Sequence, residues 1–588
     1  MNRWLLATLF LTLGTAPGWA ADSAELSLKA RGVFKQFCHR CHSGAGSEGG
    51  EFDVLDIKTL TPARPGGKPY ISAGSPSDSF ILERLEKGSM PPKSIKDRPT
   101  DEDKKAVRAW IEAGAPAFPA DQQRAKQSLT LGLTAVRDYL RAAPPESRPY
   151  LRFFTLYHQH NNPSAPAGDL AITRAALSKA INSLHWRPRI VVPQEVPNSN
   201  GTVYTIDLRD VDWDKHDIWR EIEKAYPYAL RYDQSADQPL RVVDLEIAQL
   251  AGIGSGDPLP VVRADWFIAT ATRPPLYNIM LQLPHSALDL EKLLKVNVTD
   301  NFQRDQATRA GFAASGVSGQ NRMLERHEAA YGAYWKSYDF LPGNAKSNLL
   351  QFPLGPEFEG NKFEEVAFSH DGGEIIFHLP NRMQGYFLIN AKDRRIEEGP
   401  INVVGDSLKT SGTPAIVTGL SCMACHKHGM IGFKDQVRDG AGVFDAAKLK
   451  VRQLYPEPPV MDGLVKEDSE LFMKALEKSV GPFLKVGADK DRSIAELTND
   501  EPIGAVARLY RLVDLDLQSV ACELDIDNPE LLRGMIAGNR RLQEIGLASL
   551  SRDGGKIKRA DWEKARLRST YQMAAQEIGK GTPVTRLH

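Results

Sequence analysis

Residues 419–430 of this chain read Gly-Leu-Ser-Cys-Met-Ala-Cys-His-Lys-His-Gly-Met, and they contain a Cys-x-x-Cys-His motif at Cys422, Cys425 and His426. In such a motif the two thiols add across the vinyl groups of a haem, and the adjacent imidazole becomes the proximal ligand of the iron. With five Cys and 13 His in 588 residues, one such pattern arises by chance with odds of roughly one in a thousand. The motif therefore predicts a covalently attached haem c.

A second copy of the motif is formed by Cys38, Cys41 and His42. The two copies use four of the five cysteines. We therefore predict two covalently bound haem c groups, haem 1 at the first motif along the chain and haem 2 at the second. Cys522 is left over. A lone cysteine of this kind is most often a small buried apolar residue, and a reactive thiol is the alternative.

Length and composition predict a multidomain globular protein of balanced charge. A chain of 588 residues corresponds to roughly three or four domains. Apolar residues make up 42% and charged residues 25%, which is ordinary for a protein with sizeable cores. Lys+Arg and Asp+Glu are both 74, so the net charge gives no reason to expect a nucleic-acid partner or an anionic membrane surface. A local charged patch for docking a redox partner protein is compatible with this balance.

The first 20 residues are typical of a secretory signal peptide. Arg3 supplies a positive start, residues 4–13 form an apolar run too short to span a bilayer, and Gly18 and Ala20 are small residues at the positions that a signal peptidase reads. We expect cleavage directly after Ala20 or one residue later; an uncleaved membrane anchor is the alternative. No later stretch is apolar enough to span a bilayer. We therefore expect no stable membrane insertion after cleavage and a location in the periplasm, which suits haem c because it is attached outside the cytoplasm.

Residues 24–118 are predicted to form a small all-α domain around haem 1. Apolar residues at helical spacing predict helices over residues 24–37, 79–87 and 101–113. Met90 lies in the run Gly-Ser-Met-Pro-Pro, a Pro-bounded loop. Its thioether is suited to bind the iron from the face opposite His42, and His/Met ligation raises the reduction potential. A Met90 that merely fills the core is the alternative.

This segment resembles the class I cytochrome c domain. The resemblance is carried by the Cys-x-x-Cys-His motif, by Met90 in its loop and by the last helix with Trp110. The runs Gly-Ser-Met-Pro-Pro and Trp-Ile-Glu-Ala-Gly-Ala-Pro are, more narrowly, similar to those of small cytochrome domains fused to large exported bacterial proteins. The resemblance implies an all-α fold with His42 and Met90 as axial ligands of haem 1.

The rest of the chain is predicted to fold as α+β, so the whole protein is expected to be mainly α. A Pro-containing linker covers residues 115–124. The predicted regions are a mainly helical α+β region at 127–348, a small antiparallel β-meander leading into the second motif at 349–460, and a helical region at 461–588.

Two local predictions inside these regions bear on the second motif. Residues 322–338 are interpreted as an aromatic-rich helix. Strands are predicted at 364–369 and 374–379, with Asp-Gly-Gly at 371–373 as the hairpin turn between them, followed by strands at 385–390 and 395–398.

The iron face opposite His426 decides whether haem 2 carries electrons or binds a substrate. His428 and Met430 follow His426 too closely in the sequence to reach across the haem ring. The sixth ligand is therefore expected elsewhere in the chain, and an open sixth position is the alternative.

His327 is the preferred distal candidate for haem 2. On the predicted helix it is flanked by Arg322 and Arg326, and arginines pair with haem propionates by the forked geometry that binds carboxylates. Met461 and His158 are weaker candidates.

Residues 148–438 are similar to exported bacterial proteins that are known only as cytochrome c-like. The similarity is carried by Arg-Ala-Asp-Trp-Phe at 263–267, by residues 331–340 and by Ser-Cys-Met-Ala-Cys-His at 421–426. The similarity favours a haem protein and implies no particular reaction.

These features predict an exported dihaem c-type cytochrome that carries out electron transfer, with haem 1 relaying electrons between a redox partner protein and haem 2. One alternative is a dihaem oxidoreductase of the peroxidase or oxygenase kind, in which haem 2 acts on a small-molecule substrate; the long stretch between the motifs does not match the layout of those enzymes. The other alternative is a haem sensor that binds a gas. The amount of extra structure argues against a simple electron shuttle, and no catalytic residue can be selected from the sequence.

Overall fold

The computed structural model of the protein describes most of the chain. The described residues are 18–39, 41–42, 52–64, 67–93, 95, 98–118, 124–165, 167–254, 256–315, 318–401, 404–406, 409–497 and 500–584.

The structure is mixed α/β, with about 45% of residues in helices and about 14% in strands. The chain forms two compact units, residues 1–123 and 124–588, and the division falls at the end of the predicted linker. The predicted signal peptide lies outside the described residues, apart from residues 18–20 at the start of the first helix. Among the described residues, no helix combines the length and the apolar character needed to cross a membrane.

The helices are the main regular elements described in the first unit, which also contains an isolated β-bridge between Arg64 and Gly67. The three helices predicted for it are confirmed. Its α-helices are α1 (Gly18–Phe37), α2 (Ile57–Leu60), α3 (Phe80–Glu86) and α4 (Asp101–Glu112).

Trp110 on α4 forms the centre of the first unit's core. It is fully buried, and its ring meets Phe34 of α1 edge to face at 5.6 Å and stacks on Phe118 at 5.1 Å. Its indole N–H donates to the carbonyl oxygen of Pro116 at 2.9 Å, so the polar atom of a buried tryptophan is satisfied. Trp110 thus fixes the first and last helices of the unit to each other.

The second unit contains the remaining elements. Its helices are α5 (Leu129–Ala142), α6 (Tyr157–Asn161), α7 (Ala167–Asn182), α8 (Ile218–Ala225), α9 (Gln238–Ala251), α10 (Ala264–Ala271), α11 (Leu276–Met280), α12 (Ala287–Leu294), α13 (Val298–Gln303), α14 (Leu420–Cys425), α15 (Val437–Gly440), α16 (Asp445–Leu454), α17 (Pro458–Leu484), α18 (Pro502–Leu512), α19 (Leu517–Glu523), α20 (Pro529–Gly538), α21 (Arg540–Leu542), α22 (Arg559–Glu563) and α23 (Thr570–Glu577). Its strands are β1 (Leu151–Thr155), β2 (Gln194–Glu195), β3 (Val203–Asp207), β4 (Leu230–Arg231), β5 (Val261–Arg263), β6 (Thr308–Ala313), β7 (Asn321–Ala329), β8 (Gly332–Asp339), β9 (Gly372–His378), β10 (Gln384–Asn390), β11 (Arg395–Ile396), β12 (Glu398–Gly399), β13 (Ile416–Val417), β14 (Leu515–Asp516), β15 (Lys556–Ile557) and β16 (Thr582–Pro583).

Strands β6 to β11 form an antiparallel sheet in which each strand pairs with the next along the chain. We call it the large sheet. The predicted antiparallel meander before the second motif is therefore confirmed, but it begins earlier, at Thr308. From β11 the chain passes through the short pair β12 and β13 into α14, which carries the second motif.

The helix predicted over residues 322–338 is wrong, because this segment forms strands β7 and β8. The alternation of a strand is hidden here by charged residues that are buried on both faces. Arg309 pairs with Glu325 on one face, and Arg322 pairs with Asp339 on the other. A polar–apolar alternation marks a strand with one solvated face, and neither face of these strands is solvated in that way.

The hairpin turn predicted at Asp-Gly-Gly is also wrong. Gly372 and Gly373 lie within β9, and residues 364–369 contain a short 3₁₀ turn, Glu364–Val366, in place of a strand. A Cβ built on Gly373 would lie 2.0 Å from the carbonyl oxygen of Ser337. Glycine thus permits close approach of two strands at this position and does not mark a turn.

The predicted boundaries at 348/349 and 460/461 do not separate domains. The first divides the large sheet between β8 and β9, and the second falls inside α17. Residues 124–588 form one compact unit in their place.

The second unit also holds a mixed sheet of order β2-β3-β1-β5, in which β1 runs antiparallel to β3 and parallel to β5. Glu523 at the end of α19 joins this sheet to the C-terminal helices. Its carboxylate accepts hydrogen bonds from Arg263 of β5 and Arg559 of α22, both at 2.6 Å, and from the indole of Trp562 at 2.8 Å. Burial raises the pKa of Glu523, but the two guanidinium groups outweigh it, and the pKa lies below its usual range.

Replacing Glu523 by Gln should destabilise the second unit by about 3–5 kcal/mol at pH 7, because two buried guanidinium groups lose their counter-charge. The measurement is the free energy of unfolding in urea, followed by far-UV circular dichroism. Glu530→Gln, which removes an exposed pair with Arg533, is the control and should change little. Because the folded-state pKa of Glu523 is lowered, the difference should shrink as the pH falls below about 4.3, the ordinary glutamate value. Equal stability of the two variants at pH 7 would contradict the assignment.

Candidate functional site

The first motif lies directly after α1. The backbone N–H of Cys41 and that of His42 both donate to the carbonyl oxygen of Cys38, at 3.1 and 3.0 Å. The two cysteines are half-buried. The His42 ring stacks on Phe52 with 4.6 Å between ring centroids. The helix end and this turn bring both cysteines and the histidine to one short segment.

The loop that contains Met90 is held by Arg98. The guanidinium of Arg98 donates to the carbonyl oxygens of Gly88 at 2.7 Å and Pro92 at 3.0 Å. The backbone N–H of Met90 donates to the carbonyl oxygen of Arg84 at 3.3 Å. Met90 itself is half-buried. The loop is thus fixed on both sides of Met90, while the role of Met90 as an iron ligand stays a prediction.

The second motif is positioned by a glycine at the start of α14. Gly419 adopts φ 80° and ψ −75°, a backbone conformation that side chains with a Cβ strongly disfavour. A Cβ at this position would lie 2.6 Å from the carbonyl oxygen of Thr272 and 2.8 Å from the ring of Tyr277. Only glycine lets the chain enter α14 against these two residues.

His426 is oriented by a hydrogen bond within its own loop. Its Nδ1 lies 3.0 Å from the carbonyl oxygen of Gly429. A carbonyl only accepts, so Nδ1 carries the proton, and the lone pair is on Nε2. Metal-bound histidines have this arrangement, in which one ring N–H is held by a carbonyl and the other nitrogen binds the metal. The N–H of His426 also donates to the carbonyl of Cys422 at 2.8 Å, the same turn that the first motif makes.

The two cysteines of the second motif are neutral thiols at pH 7. Burial raises the pKa of the Cys422 thiol well above its usual value, and the nearby Glu374 carboxylate raises it further. Burial raises the pKa of the Cys425 thiol to about 12. None of the described cysteines forms a disulfide. The residues present therefore fit the donor set of a covalent haem c: two thiols and an imidazole with its Nε2 lone pair available.

The large sheet presents one face to the second motif. The register aligns Arg326, Trp335, Ile376 and Tyr386 across strands β7 to β10, and residues paired across strands point to the same face. The Tyr386 ring lies 6.0 Å from the His426 ring. We call the face that carries these four residues the motif face.

Asp468 of α17 connects the motif face to the loop that follows His426. Its carboxylate accepts two hydrogen bonds from Arg326, at 2.9 and 3.0 Å, and one from the Trp335 indole at 2.8 Å. The neighbouring Ser469 hydroxyl accepts from the backbone N–H of Met430 at 3.1 Å. One turn of α17 thus positions both the sheet and the segment after the motif.

The other polar groups of the motif face also have protein partners. Arg322 makes a two-pronged pair with Asp339, at 2.6 and 3.0 Å. His378 accepts from the N–H of Ala333 at 3.1 Å through Nδ1, and its Nε2 donates to the backbone carbonyl of Asp468 at 3.2 Å. Arg322 and Arg326 were expected to pair with haem propionates. The Nε–Nη2 edge of each is instead bound to a carboxylate of the protein, Asp339 for Arg322 and Asp468 for Arg326.

His327 does not face an iron bound at His426, which corrects its assignment as the distal candidate. It lies on strand β7, one residue from Arg326, and so points to the opposite face of the large sheet. It is fully buried. Its Nε2 donates to Glu325 at 2.8 Å, and its Nδ1 accepts from the Asn301 amide at 3.0 Å. Both ring nitrogens are thereby used within the protein.

The two weaker candidates have different surroundings. His158 is buried, with its Nε2 2.8 Å from the carboxylate of Asp265, so this nitrogen is hydrogen-bonded. Met461 is buried near the start of α17, on the same side of the helix as Asp468 two turns later. Both stay predictions, since the Nδ1 of His158 has no hydrogen-bond partner among the described residues.

Sequence reasoning missed Tyr386 and Glu374, which lie beside the second motif, and Asp468, which connects the motif face to the loop after His426. Tyr386 and Glu374 lie in stretches that were predicted as strands, and alternation alone could have assigned each to a face. Which face meets the motif depends on the path of the chain after β11. Asp468 carries no sequence signal, since an acidic residue on an amphipathic helix is ordinarily exposed.

Comparison with known proteins identifies no relative of this chain. No protein-family model matches the chain, and neither a curated protein nor a solved structure is significantly similar to it. The functional assignment therefore rests on the residues of the two motifs and their surroundings.

Replacing Gly419 by Ala should destabilise the second unit by about 2 kcal/mol or more, because the added methyl group combines a disfavoured backbone conformation with a clash against Thr272 and Tyr277. The measurement is urea unfolding of the second unit. Gly463→Ala is the matched control: Gly463 is an exposed residue inside α17 with nothing within 4 Å of a Cβ, so alanine should stabilise by up to about 1 kcal/mol. If Gly419→Ala leaves the stability unchanged or raises it, the geometry described for Gly419 is incorrect.

Proposed function

We propose that this protein is an exported dihaem c-type cytochrome that carries out electron transfer. Cys38 and Cys41 would hold haem 1 covalently, and His42 and Met90 would bind its iron. Cys422 and Cys425 would hold haem 2, and His426 would bind its iron. The two bound groups would supply one-electron redox couples for electron exchange with a redox partner protein and between the two sites.

The observation that carries the proposal is the orientation of His426. Its Nδ1–H is held by the Gly429 carbonyl, which leaves the Nε2 lone pair for a metal. Gly429, with φ 98°, brings that carbonyl within reach of the ring. Two thiols in the preceding turn complete the donor set of haem c.

The held polar groups of the motif face support electron transfer over catalysis. General acid–base catalysis needs a side chain whose proton is available to the substrate. Among the described groups of the motif face, Arg322, Arg326 and His378 are each held by carboxylates or by backbone groups. These residues support a rigid setting for a redox group better than they support proton transfer.

When bound, haem supplies a one-electron redox couple whose potential depends on the axial ligands and on burial. The chain's contribution is to hold the group and tune it. Met90 as a thioether ligand favours the reduced metal at haem 1. His426, Tyr386 and the buried Arg326–Asp468 pair provide a fixed, low-dielectric environment at haem 2.

The proposed location is the periplasm, with the protein not inserted in the membrane. It rests on the signal-like first 20 residues and on the compartment in which haem c is attached. A redox partner protein follows from electron transfer as the function.

Mass spectrometry of the intact protein, produced in a host that attaches haem c, should show two covalent haems. Replacing Cys422 and Cys425 together by Ser should remove the mass of one haem, and replacing Cys38 and Cys41 should remove the other. Cys522→Ser is the control and should retain both, since Cys522 is buried against Gln518. A mass that corresponds to the bare polypeptide would end the proposal.

Resonance Raman and EPR spectra of the holoprotein should show two low-spin, six-coordinate haems that bind neither CO nor peroxide. Met90→Ala should convert only haem 1 to high spin, because the iron loses its sixth ligand. A high-spin haem that is already present in the wild type, is lost in His426→Ala and persists in Met90→Ala would contradict simple electron transfer. That result would favour catalysis or gas binding at haem 2.

A further inference from the structure

Asp406 brings a carboxylate to the start of the second motif. It is buried, and it accepts hydrogen bonds from the Ser421 hydroxyl at 3.1 Å and from the backbone N–H of Thr410 at 2.9 Å. Ser421 directly precedes Cys422 in α14. A buried carboxylate is thus fixed one residue away from the first attachment cysteine.

Glu374 brings a second carboxylate from the large sheet. It lies on β9 two residues before Ile376, so its side chain points to the motif face. Its backbone N–H donates to the Ser337 hydroxyl at 2.8 Å, which fixes the strand at this position. Its carboxylate lies near enough to the Cys422 thiol to raise the pKa of that thiol, in addition to the larger effect of burial. The two carboxylates therefore approach the motif from different elements, Glu374 from a strand and Asp406 from the loop before β13.

One arginine faces two carboxylates on the motif face. Arg322 donates two hydrogen bonds to Asp339, at 2.6 and 3.0 Å. Burial lowers the pKa of the Arg322 guanidinium, but Asp339 and, more weakly, Glu374 raise it above its usual range. Within the part of the chain that the structure describes, no ion pair includes Glu374. The charge of Arg322 is thus matched by Asp339, and the carboxylate of Glu374 is in excess.

The lysines near the motif do not remove this excess. Lys179 donates to Glu501 at 2.7 Å, and both side chains are buried, so this pair is neutral. Lys427 follows His426 in the sequence, is half-exposed and lines a small recess between α17 and α18. Water and salt screen an exposed charge more than a buried one. These cations leave the negative charge of Glu374 unbalanced on the buried side of the motif.

A fixed negative charge lowers the reduction potential of a nearby haem iron, because the oxidised iron carries one more positive charge than the reduced iron. Attachment of a haem does not remove this charge. It converts the Cys422 thiol to a thioether, and the hydrogen of the thiol passes to the vinyl group. A thioether has no proton to share with Glu374, so the full charge of the carboxylate acts on the attached group.

We propose that Glu374, together with Asp406, lowers the reduction potential of haem 2 and makes it the lower of the two potentials in the protein. The proposal rests on the proposed function, since it requires a haem at the second motif. Met90 as a thioether ligand raises the potential at the other site. The order of the two couples then favours transfer of one electron from a one-electron donor to haem 2, and of one electron from haem 1 to an acceptor protein. The competing explanation is that the two carboxylates only fix α14 and the sheet.

The test is a potentiometric titration of the full-length holoprotein, followed by optical and EPR spectra. The couple of haem 2 is the one that remains in the double variant Cys38→Ser/Cys41→Ser, and in the wild type it should lie below that of haem 1. Glu374→Gln should raise the potential of haem 2 and leave that of haem 1 unchanged. We expect about a tenfold change in the equilibrium constant for reduction of haem 2, which is about 59 mV for a one-electron couple.

Two further variants separate the charge of Glu374 from its structural role. Glu374→Asp keeps the charge, so the potential of haem 2 should stay near that of the wild type. Glu365→Gln removes an exposed carboxylate from the 3₁₀ turn before β9, and it is the control that should change neither potential.

Mass spectrometry of each sample first counts the covalent haems. A wild type without a haem at the second motif would contradict the proposed function itself. With both haems attached, an unchanged or lower potential of haem 2 in Glu374→Gln would overturn only the present proposal. Equal shifts in Glu374→Gln and Glu374→Asp would also overturn it, because a purely structural role is disturbed by both. Should Glu374→Gln not fold, Asp406→Asn decides by the same criterion.

Discussion

The carboxylate of Asp468 must be paired because it is buried, and the arrangement around the second motif depends on that requirement. An unpaired buried charge costs several kcal/mol. Asp468 avoids this cost through two hydrogen bonds from Arg326 and one from Trp335, so α17 can dock on the sheet in one position only. Ser469, one residue on, then holds the backbone of Met430. The segment that contains His426 is thereby confined between the helix and the sheet.

The same requirement acts on the opposite face of the large sheet. There Glu325 is buried between Arg309 and His327. Burial raises its pKa, but these partners lower it to about 2. A folded-state pKa below the unfolded value means that the pair stabilises the fold at neutral pH, and that this stabilisation is lost as the pH falls toward 2. His327 belongs to this second charge network. His327 lies next to Arg326 in the sequence, but the two side chains point to opposite faces of strand β7. Each face of this strand carries its own ion pairs.

Elements that are marked by local apolar spacing could be predicted from the sequence, whereas elements and site residues that depend on tertiary contacts could not. The helices of the first unit, such as Asp101–Glu112, were predicted from apolar spacing because one face of each is buried and the other is in contact with water. Strands β7 and β8 were missed because both of their faces are buried and each face contains charges, so no simple period marks them. The residues around His426 were missed for a related reason. Tyr386 and Asp468 meet the motif only through tertiary packing, and neither differs locally from an ordinary strand or helix residue.

The two motifs share a local geometry although they lie in different surroundings. In each, the histidine N–H donates to the carbonyl of the first cysteine, at 3.0 Å in one and 2.8 Å in the other. In the second motif the ring is also oriented within the same twelve residues, since Gly429 supplies the carbonyl that holds Nδ1. The turn that orients the histidine is therefore encoded by a short sequence, whether that sequence follows a helix in a small helical unit or a β-meander in a large one. The surroundings of the His426 ring have no such local code, because Tyr386 of the large sheet reaches this ring only through tertiary packing.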